Sequence, residues 1–132
     1  MQYLIDTHVC LWAIADKRKL SKKVLAILED FHSNILVSQV SLMEIAIKLK
    51  IGKLSEFKVQ LPEFVESIYK TGFEILPLKN EHIFAYSNLD FHEQHRDPFD
   101  RLLISVADFE QASFITKDEK FEWYSKRLNI VW

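Results

Sequence analysis

Two periodicities alternate along this 132-residue chain and leave few folds open to it. Short apolar runs, too brief for helices, read as strands: Tyr3-Leu4-Ile5, Ile35-Leu36-Val37, Glu74-Ile75-Leu76, Ser113 to Thr116 and Asn129 to Val131. Between them the apolar residues recur every three or four positions. Val9 to Ala15 is apolar enough to be a buried helix. Ser21 caps a helix running to about Phe31, with Val24, Leu25, Leu28 and Phe31 on one face. Ser41 opens a segment carrying Leu42, Ile45, Ala46 and Leu49 and stopped by Gly52; Pro62 opens another with Phe64, Val65 and Ile68 on one side and Gly72 past its end. Asn80 caps Ile83, Phe84, Tyr86 and Leu89, and Phe99 to Phe109 carries a stripe of Leu102, Leu103, Val106 and Ala107. Asp90 to Asp97 has seven polar or charged residues out of eight and reads as an exposed loop. Strands alternating with helices predict an α/β fold, a parallel sheet covered on both faces.

The length suits one domain over residues 1–132, and 48% hydrophobic residues supply its core. Two glycines and three prolines leave no flexible linker. The lone cysteine, Cys10, lies in an apolar run and reads as a buried, inert thiol, which with the absence of a leader or an apolar span predicts a cytoplasmic protein that does not enter a membrane. Charge is unevenly spread. Up to Gln60 there are nine Lys/Arg against six Asp/Glu. Lys17, Arg18, Lys19, Lys22 and Lys23 form the densest basic run, and Lys48, Lys50 and Lys53 a second; each reads either as a solvated helix end or as a surface that guides phosphates.

In a parallel sheet, ligands gather outside the carboxyl ends of the strands. Those ends are acidic here. Asp6 follows the first strand, Glu44 lies one helical turn beyond the second, and Asp118 follows Thr116 after the fourth. Asp97 and Asp100 flank Pro98-Phe99 on one side of a helix start. Five carboxylates converging on one cleft cannot all stay ionised without a cation, and hard oxygen donors with no cysteine or paired histidines at metal spacing point to Mg²⁺ or Mn²⁺. Such a site suits hydrolysis of a phosphodiester.

Each acid also has an ordinary structural reading. Ser41 and Glu44 match a capping box; Asp97 suits an N-cap before Pro98; Asp100 is a favourable charge in a first turn; Asp118 caps a short helix containing Phe121 and Tyr124. Asp6 resists such a reading, since a charge between Tyr3-Leu4-Ile5 and an apolar helix gains little structurally. His8, beside Asp6, reads either as touching the site or, the more ordinary case, as packing against the first helix. His92, His95 and Glu93 read as a solvated loop rather than a separate metal site.

The runs YLIDTHVCLW at 3–12, SLMEIAIK at 41–48 with Gly52-Lys53-Leu54, HRDPFDRLLI at 95–104 and TKD at 116–118 closely resemble PIN-domain proteins, in particular VapC-like toxins. The resemblance spans essentially the whole chain. It implies a three-layer α/β/α fold with a mainly parallel sheet. It also implies a Mg²⁺- or Mn²⁺-dependent ribonuclease, usually a homodimer, neutralised by a small VapB-like antitoxin. By position, Asp6, Glu44, Asp100 and Asp118 resemble the family's acidic quartet and Asp97 an additional acid. Either Asp97 or Asp100 suits the third ligand position. Thr7 and Thr116 resemble supporting hydroxyl residues.

Two rival classes remain. An aspartate-nucleophile phosphatase would carry a second Asp two residues beyond the first, where this chain has His8, and a phosphorelay receiver would carry an adjacent acidic pair after its first strand. A binding module that holds metal or a partner without catalysis is the other.

Overall fold

Five short strands, all parallel, form the centre of the computed structural model, which describes residues 1–90, 95 and 97–132. In chain order the elements are β1 (Gln2–Ile5), α1 (Thr7–Ala15), α2 (Lys22–Glu29), β2 (Asn34–Ser38), α3 (Gln39–Lys50), α4 (Leu61–Lys70), β3 (Glu74–Leu76), α5 (Asn80–Ser87), α6 (Pro98–Glu110), β4 (Ser113–Ile115) and β5 (Ile130–Val131). Single 3₁₀ segments lie at Lys17–Lys19 and Glu119–Tyr124. The spatial order is β3-β2-β1-β4-β5, so the chain grows outward from β1 on one side and then returns to build the other. Leu4 therefore lies between Leu36 of β2 and Phe114 of β4.

The strands are nearly continuous apolar runs because both sheet faces are covered. Successive residues point to opposite faces. Ile5, Ile35, Val37, Ile115 and Val131 pack into one core with Val9 and Cys10 of α1, Val24 of α2 and Phe64 and Ile68 of α4. Leu4, Leu36 and Phe114 pack into the other with Leu103, Ile104, Val106 and Ala107 of α6. This is the expected layering of helices about a central sheet, and the sheet is wholly rather than mainly parallel among the described residues. Gly52 and Gly72 close α3 and α4 at φ of 75° and 91°, where a side chain would be strained. Burial pushes the Cys10 thiol up to about 12, with Asp6 adding to the effect, so it stays protonated. No described helix is long and apolar enough to cross a membrane.

Three local expectations are corrected. Helix α2 stops at Glu29, and Phe31 is 88% exposed rather than on the buried face. Its N-cap is Ser21 as expected, accepting from the Val24 N–H at 3.1 Å. Helix α3 begins at Gln39 with Ser38 as its cap, the Ser38 hydroxyl accepting from the Val40 N–H at 3.0 Å. Ser41 is thus inside the helix, and the expected capping box with Glu44 does not form. In α5 the buried residue is His82, while Ile83 and Phe84 are exposed, and the cap is Lys79 rather than Asn80. His82 satisfies both ring nitrogens there: Nδ1 accepts from the Lys79 N–H at 3.0 Å and Nε2 meets Glu110 Oε2 at 2.7 Å. A polar anchor between α5 and α6 replaces the expected apolar face. Of the loop expected over Asp90 to Asp97, residues 91–94 and 96 lie outside the described residues.

Candidate active site

The strand order puts the carboxyl ends of β1 and β4 side by side, at the point where the chain changes direction across the sheet. Pairing of Ile5 with Ile115 makes Asp6 and Thr116 neighbours, and the Asp6 N–H continues the ladder to the Ile115 carbonyl at 3.0 Å. Thr116 Oγ1 donates to Asp6 Oδ2 at 2.5 Å and accepts from the Asp118 N–H at 3.0 Å. One hydroxyl so ties the acids that follow two different strands. Asp6 does have a structural task, contrary to expectation: its Oδ1 caps α1 by accepting from the His8 N–H at 2.7 Å.

The same economy holds for Asp97 and Asp118. Asp97 caps α6, accepting from the Phe99 and Asp100 N–H groups at 2.9 and 3.2 Å. Asp118 caps the 3₁₀ turn, accepting from the Lys120 N–H at 3.0 Å. In both, Oδ1 accepts these bonds, and backbone donors fix the direction of the carboxyl group. Glu44 is held by side chains: Thr7 Oγ1 donates to its Oε1 at 2.8 Å and Lys48 pairs with its Oε2 at 2.9 Å. Thr7 Oγ1 also lies 3.0 Å from the buried Ser41 Oγ.

Asp6, Glu44, Asp97, Asp100 and Asp118 all line one cleft of about 180 Å³, together with Thr7, His8 and Lys48. Burial raises Asp6 above the usual carboxylate range, with the charge of Glu44 adding to it, against the pull of Thr116 and of His8. Asp100 is pushed up to about 6 by burial and by the charges of Asp97 and Glu44, opposed by its bond to His95. Both acids are in the condition that a cation would relieve. Among the described residues, no three His, Cys, Asp or Glu side chains form a ready-made cage for an ion. The larger cavity of about 340 Å³ at the opposite end of the sheet, lined by Leu25, Leu28 and Phe73, holds none of these acids.

The basic residues divide. Lys48 reaches the cleft. Lys17 lines the far cavity, and Arg18 is 91% exposed and pairs with Asp16 at 3.0 Å. Lys22 and Lys23 open α2 on its exposed side. Lys50 and Lys53 lie at the far end of α3, about 18 Å of helix from its start. Lys19 lies with its ammonium 6.0 Å from the Trp12 ring centroid.

Two contributors were not anticipated. His95 is 3% exposed, not solvated; its Nε2 meets Asp100 Oδ2 and its Nδ1 the Tyr124 hydroxyl, each at 3.1 Å. The rings of Phe121 and Trp123 pack on it edge-on. His92 and Glu93, read with it as a solvated loop, lie outside the described residues. Arg101, buried within α6, donates to the Tyr124 hydroxyl at 3.3 Å and to the Asp90 and Leu89 carbonyls at 3.0 and 3.3 Å. A spacing of five between His95 and Asp100 carries no helical or strand signal, so neither periodicity pointed to it.

A family model described as PIN domain matches residues 3–126. No curated protein sequence matches the chain. Among solved structures, the chain is similar to one in VapBC2 from Rickettsia felis bound to a DNA fragment from their promoter. Identity is 21% over 99% of this chain and 98% of that one, with a TM-score of 0.64. DNA-bound VapBC from Salmonella typhimurium is similar at 16% identity, over 99% and 97% of the two chains, with a TM-score of 0.70. VapBC-5 from Mycobacterium tuberculosis, of the VapBC family of toxin-antitoxin systems, is similar at 18% identity over 98% and 95%, with a TM-score of 0.59.

Proposed function

Because the chain belongs to the PIN-domain family, we propose that residues 1–132 are one PIN domain acting as a metal-dependent endoribonuclease, the toxin of a toxin-antitoxin pair. The observation that carries this reading is the meeting in one cleft of five acids, Asp6, Glu44 and Asp118 from the segments that follow β1, β2 and β4 and Asp97 and Asp100 from the start of α6, with Asp6 and Asp100 raised above their ordinary range. The donor chemistry fits Mg²⁺ or Mn²⁺. These ions take oxygen ligands, and Mg²⁺ keeps several waters while using only one or two carboxylates beside substrate phosphates, so a closed protein cage is not required. Asp6, Asp97, Asp100 and Asp118 are the proposed ligands. When bound, such an ion would supply Lewis-acid polarisation of the phosphodiester and a water of lowered pKa for its hydrolysis.

The chain's own groups set up that step. Thr116 orients the Asp6 carboxyl and anchors the Asp118 backbone, and His95 orients the Asp100 carboxyl. Glu44, its direction fixed by Thr7 and by Lys48, is the residue we assign to accept a proton from the attacking water. Lys48 brings a cation to the rim of an otherwise acidic cleft, which eases approach of a polyanion. The partners proposed are a VapB-like antitoxin and a second copy of this chain, in the cytoplasm. VapBC structures among the neighbours support the first of these.

Asp6→Asn is the decisive variant, because asparagine caps a helix as well as aspartate does while removing the charge. The purified variant should fold and lose cleavage of single-stranded RNA in Mn²⁺, with DNA of the same sequence left intact by the parent. A variant that folds and cuts as fast as the parent overturns the role of Asp6. RNA binding without cleavage by the parent, at any divalent concentration, would make the chain a binding module instead.

A further inference from the structure

A second, open groove of about 550 Å³ adjoins the acidic cleft, sharing Asp6, His8 and Asp118 with it and continuing over Trp12, Lys117 and Lys120. Glu119 is the one carboxylate it adds. Trp12 is its hub. The Lys117 ammonium lies 5.9 Å from the Trp12 ring centroid and 5.9 Å from that of Trp132, and Lys19 approaches the Trp12 ring at 6.0 Å. Trp132 meets Trp12 edge-on at 6.1 Å, and His8 flanks it at 5.8 Å.

The state of these lysines distinguishes them from Lys48 and Arg18. Lys48 is paired with Glu44, and Arg18 takes Asp16. Neither Lys19 nor Lys117 forms an ion pair among the described residues, although Lys117 is next to Asp118 in the chain. Indole faces hold both ammonium groups, and a ring accepts charge through its quadrupole without saturating three N–H donors. Both cations therefore sit against the indoles with donors to spare, and Lys117 is one residue from Asp118. A single-stranded polynucleotide entering an acidic cleft needs such contacts on the phosphates beside the scissile one, and aromatic platforms to stack its bases.

Resting on the ribonuclease reading above, we infer that this groove seats the single-stranded RNA flanking the cleaved bond, with Lys117 and Lys19, held by Trp12 and Trp132, as its phosphate contacts. The basic run at Lys17 to Lys23 then contributes through Lys19 alone. Lys117 acts on the substrate and not on the reacting atoms.

The test uses a short fluorescent single-stranded RNA and the full chain. Binding is measured by anisotropy across a salt series in an Asp6→Asn background, and cleavage kinetics in the Asp6 protein. Lys117→Ala should weaken binding about fivefold and lower the slope of log affinity against log salt by about 0.7, the value for one phosphate contact on a single strand. It should raise KM while leaving kcat within about twofold. Trp12→Leu should lower the same slope, and Lys70→Ala, at the opposite end of the sheet, should leave it unchanged. Parent-like affinity and slope in Lys117→Ala, with RNA still cut by the parent, overturn the groove and leave the nuclease standing. An equal loss in Lys70→Ala also overturns it. Failure of the parent to bind or cut RNA removes both.

Discussion

Replacing Asp100 by asparagine should stabilise the metal-free protein near neutral pH, the opposite of what removing a hydrogen-bonded charge usually does. The Asp100 carboxyl titrates at about 6 in the fold against 3.8 for the ordinary group. The folded state thus holds that proton more tightly than the unfolded state. Its contribution is fully favourable below about pH 4, is lost as pH rises through about 6, and above that the ionised group weighs against folding. The full shift corresponds to a ceiling of about 3 kcal/mol. A side chain 25% exposed is partly screened, which brings the cost to about 1–2 kcal/mol. Asparagine keeps an acceptor for His95 and removes the charge. By differential scanning fluorimetry in a chelating buffer at about pH 7.5, Asp100→Asn should raise Tm by about 3–8 °C. At about pH 5 the gap should shrink. Divalent cation should raise the Tm of the parent and much less that of the variant. A lower Tm for Asp100→Asn in chelator at about pH 7.5, or a gap independent of pH, would refute the claim that uncompensated acid burdens the cleft.

Divalent affinity, followed by calorimetry, should fall about tenfold per pH unit below about pH 6, where a proton on Asp100 competes with the cation. Thr116→Val keeps the shape of the side chain but removes the donor to Asp6 and the acceptor for the Asp118 N–H. It should cost about 1–3 kcal/mol by denaturant unfolding and cut RNA cleavage at least about tenfold. His82→Ala, distant from the acids, should cost about 2–4 kcal/mol through a cavity and an unpaired Lys79 N–H while leaving cleavage per folded molecule unchanged. Expression of the chain alone should arrest growth, co-expression of a small adjacent reading frame should restore it, and the Asp6→Asn form should be harmless; viable-count assays read all three.

The layering of this fold was legible because buried parallel strands must be short apolar runs and their covering helices must show a three-to-four repeat. Leu4 and Ile5, facing opposite cores, are the simplest case. The places of the strand-end acids followed from the same pattern, since Asp6, Glu44 and Asp118 stand at fixed offsets from strands that could be recognised. What failed did so where polar satisfaction overrode hydropathy. His82 displaced Ile83 and Phe84 from the inner face of α5 because Glu110 and the Lys79 N–H complete both its nitrogens. Ser38 took the cap of α3 from Ser41, leaving Ser41 beside Thr7 at the cleft. His95 was hidden for a different reason: its partners, Asp100 and Tyr124, meet it through tertiary structure alone. The aromatic seat of Lys117 is of the same kind, joining α1, the segment after β4 and the C-terminal Trp132.

Anomalous diffraction from crystals grown with Mn²⁺ tests the core of the account most directly. A peak is expected in the cleft between α1 and α6, within about 2.0–2.2 Å of a carboxylate oxygen of Asp6 and of at least one of Asp97, Asp100 and Asp118. A fully occupied ion bound elsewhere, with the cleft carrying no peak at saturating Mn²⁺, would contradict it.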